Sequence, residues 1–506
     1  MRVALALVAA SAVALLLYFP SYRGGFLGDD IFYLQHNPLM ELPVGEAAQR
    51  MVRQSYFANW APLHLAALYA QWAAFGEVAL GYRIVNVLLH AATALLLAAA
   101  ARRAGLSALG AGLAGALFLV HPVAAEPVCW INQSKTLLAT ALALLSLERW
   151  LAHLAAPSRG ALAGAWAAGL LALLAKPAAV PLPAILALAA WTHGRAALGR
   201  RLLELAPLAL AGLAVLALNL AAQSAEGGVV PRFGGSAQAT ARIAPWLLWR
   251  YLRLTLLPFD LVFGVHPAPA QSWAEPRVLL PLCGLALLAG LAFWGVRRCP
   301  RRALGVGWFA LMVLPVLQLV PMANLFADRY LYVALPGALA LLAEPLARGM
   351  AARRPPVRGL AFAATALALF AFAAATVERA RLWSDPEALY REATEAYPLG
   401  RSGWTGLGAE RHRRGELEGA AAAYLRSLAV YPDDGHVRHL LGRVRMAQGR
   451  LGQALYDYQE ALRLNPDHIQ AREIGVLAAR LRSRGMAPLE DRPLPVAGGY
   501  APRSGR

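Results

Sequence analysis

Long apolar runs constrain this chain more than any other feature of its sequence. A membrane-spanning helix needs about 20 mainly apolar residues, and eleven runs of roughly this kind follow one another through the first 378 residues. They lie at residues 3–20, 82–100, 106–121, 136–152, 161–175, 177–192, 203–222, 277–296, 304–321, 329–347 and 358–378. The sequence therefore predicts an all-α fold with a polytopic membrane domain of about eleven spans, and it excludes a single soluble globular domain.

Three stretches need a separate interpretation. We expect the run 3–20 to be a retained anchor, because it is long for the apolar part of a cleaved signal sequence. The short runs within 161–192 could form two spans or one broken helix. The stretch 243–257 contains Arg250 and Arg253, so we predict that it lies at the membrane interface or re-enters from one side.

The basic residues predict the orientation of the chain. It carries 48 Lys and Arg against 29 Asp and Glu, a net charge of +19, and such cations normally collect in short cytoplasmic loops. With the N-terminus in the cytoplasm, the strongly basic loops all fall on that side; they contain Arg102 and Arg103, residues 195–201, residues 297–302 and residues 348–358. This topology accounts for the charge, so we expect contact with membrane lipid and no nucleic-acid partner.

The same topology assigns the remaining loops to the outer, non-cytoplasmic face. This face receives residues 21–81, 122–135, 223–276 and 322–328, and everything after 378. We expect a membrane domain over 1–380 with a large first outer loop at 21–81. In a bacterium the C-terminal region would lie in the periplasm at the inner membrane, and in a eukaryote it would lie in the ER lumen.

The C-terminal region has a regular period. Pro398, Pro432 and Pro466 are spaced 34 residues apart, which is the tetratricopeptide period. We predict an α-solenoid over 381–483, with two full repeats, a preceding half repeat and a capping helix. The remaining residues, 484–506, are rich in Pro, Gly and Arg, and we expect them to be disordered.

Repeat stacks of this kind usually offer a concave face to a peptide or a partner helix. The aromatic residues Trp404, Tyr424 and Tyr458 recur in the repeats and are the candidates for guiding an acceptor. An equally weighted alternative is that the repeats form a small lid that stabilises the membrane domain.

Polar residues near a membrane are costly and usually functional. On the predicted outer face, Asp29 and Asp30 form an adjacent acidic pair that suits general-base work or a divalent cation. The only two lysines of the chain, Lys135 and Lys176, also fall on this face, and with Arg329 they suit a phosphate. The structural alternatives are a solvated turn for the acidic pair and membrane-anchoring side chains for the lysines.

Several blocks together resemble a known family. They are the acidic pair, Pro62 to Tyr69, Gly81 to Asn86 running into Leu89 and His90, His121-Pro122-Val123 with Glu126 and Trp130, Asp328 to Tyr332, and Trp383-Ser384-Asp385 ahead of the repeats. In their order and in the domain arrangement, these blocks resemble the transmembrane and tetratricopeptide repeat-containing proteins. That family is related to the protein O-mannosyltransferases of the GT-C fold, and the resemblance extends from residue 1 to about 480.

The resemblance implies an inverting glycosyltransferase of GT-C type. Such an enzyme moves a hexose, mannose-like, from a polyprenyl-phosphate carrier to a hydroxyl, with a protein Ser/Thr as the expected acceptor and a glycan as the alternative. Asp29 or Asp30 would be the catalytic base, and Lys135, Lys176 and Arg329 would bind the donor phosphate. The pocket would be shaped by His121, Glu126, Asp328, Tyr330 and Tyr332.

The chain departs from the family pattern at Ala124, Thr136 and Pro177, where relatives often carry His, an acid and an acid. Two missing carboxylates leave both the donor sugar and any use of a divalent cation open; no other cofactor is expected. The leading alternative to an enzyme is a noncatalytic, membrane-anchored repeat scaffold for envelope assembly. A lipid flippase would need more polar groups along the bilayer midplane than the sequence offers.

Overall fold

A computed structural model describes residues 2–57, 59–193, 197–225, 232–322, 324–464 and 471–489. Within these ranges the protein consists of α-helices and short 3-10 or π segments, and the β pairing there is limited to an isolated bridge between Tyr56 and Asn59. The predicted all-α fold is confirmed.

The membrane domain is a bundle of helices of very different lengths. In chain order they are α1 Arg2–Leu17, α2 Val44–Arg53, α3 Pro62–Phe75, α4 Ala79–Arg103, α5 Ala108–Leu119, α6 Ala125–Cys129, α7 Ser134–Ala155, α8 Arg159–Ala175, α9 Leu182–His193, α10 Leu198–Ala225, α11 Ala237–Leu256, α12 Pro276–Arg298, α13 Arg302–Val313, α14 Asp328–Met350 and α15 Pro355–Leu382. The core between them is apolar and centres on α4, α5, α7, α9 and α14.

Every one of the eleven predicted runs coincides with an apolar helix. Within the described part of the chain, six helices are long and apolar enough to cross a bilayer alone, and a seventh span results if the pair Ala108–Leu119 and Pro122–Cys129, bent by 49°, is counted as one. The remaining runs form shorter apolar helices, among them Arg159–Ala175 and Pro177–His193, which are separate. The chain is an integral membrane protein, and the total of eleven spans stays a prediction.

The predicted interfacial stretch forms the C-terminal part of α11. This helix is not among those that meet the length and hydropathy requirements for a span in the described residues. It packs against α12 on one side and α14 on the other, and both its arginines in this stretch are held by Asp260 in the following loop. The helix thus lines the side of the bundle.

The repeat module continues from the end of α15 as a stack of antiparallel helices. These are α16 Pro386–Ala396, α17 Arg401–Arg413, α18 Leu417–Val430, α19 Gly435–Ala447, α20 Leu451–Leu464 and α21 Ala471–Ser483. The helix α16 is the predicted half repeat, α17 to α20 are the two full repeats, and α21 lies in the predicted cap.

A glycine and a tyrosine explain how each repeat closes. A Cβ on Gly408 would lie 2.6 Å from the ring of Tyr424, and one on Gly442 would lie 2.7 Å from the ring of Tyr458. Each tyrosine therefore fills the space that a glycine leaves on the neighbouring helix. Because Tyr424 and Tyr458 are 0% and 1% exposed, the prediction that they guide an acceptor is wrong; they pack the repeat core.

The other predictions for the C-terminal region have mixed outcomes. Trp404 is half-buried and donates a hydrogen bond of 2.9 Å from its indole N–H to the carbonyl of Pro398. In the stretch predicted to be disordered, Leu489 donates a backbone hydrogen bond of 3.0 Å to Gly452, so 484–489 is ordered against the last repeat. Residues 490–506 lie outside the described residues, as does Pro466.

The first repeat helices pack directly on loops of the membrane domain. The ring of Trp383 lies 5.9 Å from the rings of both Trp130 and Phe263. The hydroxyl of Tyr431 lies 2.5 Å from Nε2 of His266, in the loop after α11. The repeats therefore sit on the same face of the bundle as the loop that carries the acidic pair.

Candidate active site

The structure separates the two acidic residues that the sequence left equivalent. Asp30 is 1% exposed, and its carboxylate accepts hydrogen bonds from the backbone N–H of Leu27 (3.0 Å) and of Asn132 (2.7 Å). Asp29 is exposed, and its Oδ2 lies 3.4 Å from the side-chain amide of Asn132. Asp30 therefore ties two loops together, while Asp29 remains accessible.

Burial changes the protonation of Asp30. It raises the pKa of the Asp30 carboxyl from its usual value to about 7, against the opposing effects of the two backbone hydrogen bonds and the nearby Arg83. The charge of Asp29 adds to the increase. A group in this state is suited to holding a loop in place, because its own oxygens are already occupied.

The outer end of α4 holds the acidic loop from behind. Arg83 is 2% exposed, and its guanidinium donates to the carbonyls of Gly24 and Gly25 and, over 3.3 Å, to that of Cys129. One turn later, the amide of Asn86 donates to the carbonyls around residues 128–131. The block Gly81 to Asn86 thus positions both loops that meet at the acidic pair.

A buried histidine extends the hydrogen-bond network beyond Asn132. His64, in α3, lies 2.9 Å from Oδ1 of Asn132 through Nε2 and 3.2 Å from the hydroxyl of Ser134 through Nδ1. Since the amide oxygen of Asn132 is an acceptor, Nε2 carries the proton and Nδ1 accepts from Ser134. Burial lowers the pKa of His64 well below its ordinary value, with a contribution from Lys135, so the ring is a neutral support.

The three predicted phosphate-binding cations lie in one neighbourhood, and we refer to Lys135, Lys176 and Arg329 as the cation cluster. Lys135 is within electrostatic range of Asp29 and Arg329, and its Nζ lies 5.0 Å from the ring centroid of Tyr33. Lys176 is within range of both other members. A compact positive region therefore faces the accessible carboxylate.

Arg329 is held in a fixed orientation. It forms a buried ion pair with Glu126, whose second oxygen accepts the backbone N–H of Arg329 over 2.9 Å. Its guanidinium lies 5.2 Å from the ring of Trp130 and 5.0 Å from that of Tyr330. Such a buried, stacked pair costs desolvation, and here it fixes the guanidinium between Glu126 and the rings of Trp130 and Tyr330.

Lys176 is oriented by one of the positions where the chain departs from the family pattern. Its Nζ donates a hydrogen bond of 2.7 Å to the hydroxyl of Thr136, and this hydroxyl in turn donates 2.9 Å to Gln133. An acid at position 136 would neutralise the lysine. Threonine instead positions the amine through a neutral hydrogen bond.

The predicted pocket residues divide into two groups. Glu126 and Tyr330 contact Arg329 of the cation cluster, and Asp328 is within electrostatic range of Glu126, so their part in the pocket stays a prediction. His121 and Tyr332 are instead fully buried in helix packing: His121 bonds the carbonyl of Thr255 (3.2 Å), and Tyr332 bonds Nδ1 of His90 (3.0 Å). The prediction that they shape the pocket is wrong, because their polar atoms are satisfied inside the bundle.

Sequence reasoning missed Tyr390, in α16, as a site residue. Gly28 adopts a left-handed conformation (φ 53°), and a Cβ there would lie 3.6 Å from the Tyr390 hydroxyl. Burial raises the pKa of Tyr390 above its ordinary value, and the charges of Asp29 and Asp30 add to this. The repeat module therefore places a neutral phenol beside the acidic loop.

The residues of this site do not form the donor set that a divalent cation prefers. The described residues contain no group of three or more His, Cys, Asp or Glu side chains arranged to hold a metal. Both oxygens of Asp30 accept backbone N–H groups, and the other carboxylate faces two cations. We therefore assign the local positive charge to the cation cluster.

The fold and the site together define a class: an integral membrane protein in which loops at one end of the helix bundle combine one accessible carboxylate with three cations, next to a repeat module. The tetratricopeptide repeat family matches residues 436–468. Protein O-mannosyl-transferase Tmtc1 of Drosophila melanogaster is 30% identical over 182 residues, which is 34% of this chain and 21% of that protein. The resemblance seen in the sequence is confirmed for the matched segments, and the chain matches about a fifth of that relative's length.

Two solved structures are also similar. Both are crystal structures of the Archaeoglobus fulgidus oligosaccharyltransferase, one tethered with an acceptor peptide and one in the apo form. The TM-scores are 0.44 and 0.43, at 13% and 14% identity, and each alignment covers 78% of this chain and 58% of the other.

Proposed function

We propose that this protein is a membrane glycosyltransferase that moves a hexose, mannose-like, from a polyprenyl-phosphate carrier to a hydroxyl acceptor on the non-cytoplasmic face. The observation that carries the proposal is the accessible carboxylate of Asp29 facing Lys135 and Arg329. An accessible base within electrostatic range of fixed cations suits sugar transfer from a lipid phosphate, in which a proton is taken up and negative charge develops on the phosphate. The O-mannosyl-transferase relative supports the reaction class.

We assign the base to Asp29. In an inverting displacement, the acceptor oxygen forms a bond to the anomeric carbon while the bond from that carbon to the phosphate oxygen breaks. Asp29 takes the proton of the acceptor hydroxyl, and the electron pair of the broken bond leaves with the lipid phosphate. Asp30 is a positioning residue, because its oxygens hold the backbone of Leu27 and Asn132.

The cation cluster stabilises the leaving phosphate. Negative charge builds up on the phosphate as the sugar departs, and fixed cations in a partly dry site favour that state without reorganising. Arg329 is already oriented by Glu126, and Lys176 by Thr136. The departure from the family pattern at position 136 is therefore compatible with activity.

We assign acceptor handling to the repeat module. Its first helices rest on the loops around the site, so a protein segment bound along the repeats would have a Ser or Thr within reach of Asp29. In a bacterium this places the acceptor in the periplasm. The residues that contact it must lie on the exposed repeat surface, since Tyr424 and Tyr458 are buried.

The test is turnover of a defined donor. The full chain, purified in detergent, is incubated with radiolabelled polyprenyl-phosphate mannose or glucose, and the release of sugar to an acceptor or to water is measured. We expect Asp29→Asn to reduce release by about 10²–10⁴-fold, the usual contribution of a general base. The matched control is Glu204→Gln, which changes a carboxylate at the opposite end of the bundle.

Two results would change the interpretation. Wild-type release by Asp29→Asn rejects the base assignment. If no donor is turned over by the wild-type protein and the Asp29→Asn variant supports a normal envelope in cells, the noncatalytic scaffold replaces the enzyme.

A further inference from the structure

A cleft of about 380 Å³ opens between α11 and α12. One face of α11 lines it with Trp246, Trp249, Arg250 and Arg253, which follow the i, i+3, i+4, i+7 spacing of a single helix face. The first turns of α12 supply the opposite wall, including Arg277. We call this space the α11/α12 cleft; nothing in the proposed reaction uses it.

The charges of the cleft are oriented and incompletely neutralised. Asp260 pairs with both Arg250 and Arg253, so one carboxylate serves two guanidinium groups. Arg277 pairs with Glu275 and also donates to the carbonyls of Ala268 (2.9 Å) and Pro269 (3.0 Å). With three arginines against two acids, the cleft retains positive charge.

The position of these arginines is unusual for a membrane protein. Cations normally collect on the cytoplasmic side, and Arg297 and Arg298 at the far end of α12 follow that rule. The cleft lies at the opposite, Pro276 end of α12, on the predicted outer face. Tryptophans favour the same interfacial depth, so the cleft sits at the level of lipid headgroups.

The cleft opens toward lipid rather than toward the protein core. Only 17% of the most apolar stretch of α12 is buried, and along this helix Leu280, Leu287 and Phe293 are 68%, 65% and 61% exposed. A Cβ on Gly284 would lie 2.4 Å from the ring of Trp249, so this glycine is what lets the indole pack against α12. An apolar chain can therefore run along α12 from the cleft.

The cleft also adjoins the candidate active site. The guanidinium of Arg250 lies 5.1 Å from the ring centroid of Phe326, two residues before the start of α14. It is within electrostatic range of Asp328, which neighbours Arg329 of the cation cluster. Arg250 therefore connects the cleft to the residues beside the cation cluster.

We propose that the α11/α12 cleft is a docking site for the carrier lipid, in which Arg253 and Arg277 bind the phosphate of a polyprenyl phosphate and the isoprenoid chain lies along α12. The inference rests on the proposed function for its choice of lipid. Arginine suits a phosphate because it forms paired, charge-assisted hydrogen bonds. The cleft would load donor from the bilayer or release the spent carrier into it.

The experiment measures binding without requiring turnover. The full chain in lipid nanodiscs is photolabelled with a diazirine-bearing polyprenyl phosphate, and the labelled peptides are mapped by mass spectrometry. We expect labelling in 276–298 and a loss of about tenfold in labelling for Arg253→Ala/Arg277→Ala, equivalent to about 1.4 kcal/mol of binding. The control Arg297→Ala/Arg298→Ala removes the same charge from the other end of α12 and should retain wild-type labelling.

Competition identifies the source of the phosphate. Unlabelled polyprenyl phosphate should suppress labelling, whereas inorganic phosphate and phosphatidylglycerol at the same concentration should not. Equal suppression by phosphatidylglycerol would show a general lipid contact and overturn the carrier assignment, and suppression by inorganic phosphate alone would show an anion site without a lipid.

A second variant guards against loss of folding. Gly284→Leu keeps every arginine but displaces Trp249, and it should lower labelling by the polyprenyl probe while thermal unfolding stays cooperative. Wild-type labelling of both variants rejects the docking site, even if Asp29-dependent sugar transfer is observed. Arginine-dependent labelling in a protein without transfer activity retains the docking site and rejects the proposed function.

Discussion

The two ends of the membrane domain use the same charged residue types in opposite ways. At the predicted cytoplasmic end, Glu204 accepts hydrogen bonds from Arg200 (3.1 Å) and Arg201 (2.8 Å), and the group closes on itself. At the outer end, Asp29 has a long 3.4 Å contact with Asn132 and faces the cation cluster. A closed ion pair anchors helices, whereas an open arrangement leaves charge for a ligand.

The difference also shows in what surrounds each group. The inner pairs lie within α10, three and four residues apart. Arg200 is exposed, so its pair is screened by water and contributes about 0–1 kcal/mol, whereas Arg201 is 6% exposed and also contacts His153 of α7. The outer cluster is enclosed by Trp130, Tyr330 and the repeat module, so its charges are less screened. The comparison predicts that outer substitutions change activity and inner ones change stability slightly.

The largest difference is expected at Arg329. Arg329→Met removes a fixed cation from the leaving phosphate, and we expect a loss of about 10²–10³-fold in turnover, as for other preorganised charge-stabilising groups. Arg201→Met at the inner end is the matched control and should keep turnover within about twofold, because Arg201 contacts His153 near the C-terminal end of α7, whereas the candidate site lies at the N-terminal end of that helix. Similar losses in both variants, measured on equally folded protein, would remove the functional distinction between the two ends.

The next effect is expected at Tyr390. Tyr390→Phe removes only the hydroxyl that lies beside Gly28, and we expect turnover to fall by about tenfold, equivalent to about 1.4 kcal/mol, because this hydroxyl packs against the loop that carries Asp29. Tyr424→Phe changes an equally buried tyrosine of the repeat core and should leave turnover unchanged. Unaltered turnover in Tyr390→Phe would show that the repeats contact the acidic loop without contributing to the reaction.

Stability should distinguish the two adjacent acids. Asp30→Asn presents an amide N–H₂ group to a backbone N–H, and leaving one buried donor unpaired costs about 1–3 kcal/mol. Asp29→Asn is an exposed change and should alter the free energy of unfolding by less than about 0.5 kcal/mol. Thermal unfolding of both variants in the same detergent tests this difference in stability. Equal unfolding midpoints would contradict the role of Asp30 in holding the two loops together.

The last difference is a pH dependence of stability. The pKa of Asp30 is raised from 3.8 to about 7 in the folded protein, so the folded state binds a proton that the unfolded chain releases. The contribution of Asp30 to stability is therefore complete below about pH 4 and is lost as the pH rises through about 7. Unfolding midpoints of wild type and Asp30→Asn between pH 5 and 8 should diverge accordingly; parallel curves would contradict the shift.

Much of the architecture could be predicted because its signals are local. An apolar run of about 20 residues must satisfy its backbone internally, so it forms a helix wherever it lies. The 34-residue period likewise marks a helical hairpin before any contact is known. The exact number of spans is harder to predict from sequence, because short helices such as Arg159–Ala175 depend on their neighbours for burial.

The site was only partly predictable. The sequence identified the charged residues but could not separate Asp29 from Asp30, because neighbours in a loop carry the same local signal. It also misassigned His121 and Tyr332, whose partners lie 134 and 242 residues away along the chain. Tyr390 could not be identified as a site residue, because a buried repeat tyrosine and a site tyrosine look alike in sequence.

The sequence by itself determined the all-α class, the apolar helices, the repeat module and the set of residues able to hold a proton or a phosphate. Tertiary structure alone decided which carboxylate is accessible, which cations stand together and where the repeats rest. The physical reason is the separation along the chain over which each effect acts. Helix formation and hydrophobic periodicity act over a few residues. Exposure, hydrogen bonding and charge clustering depend on segments such as 24–30, 128–136 and 326–330, which only folding brings together.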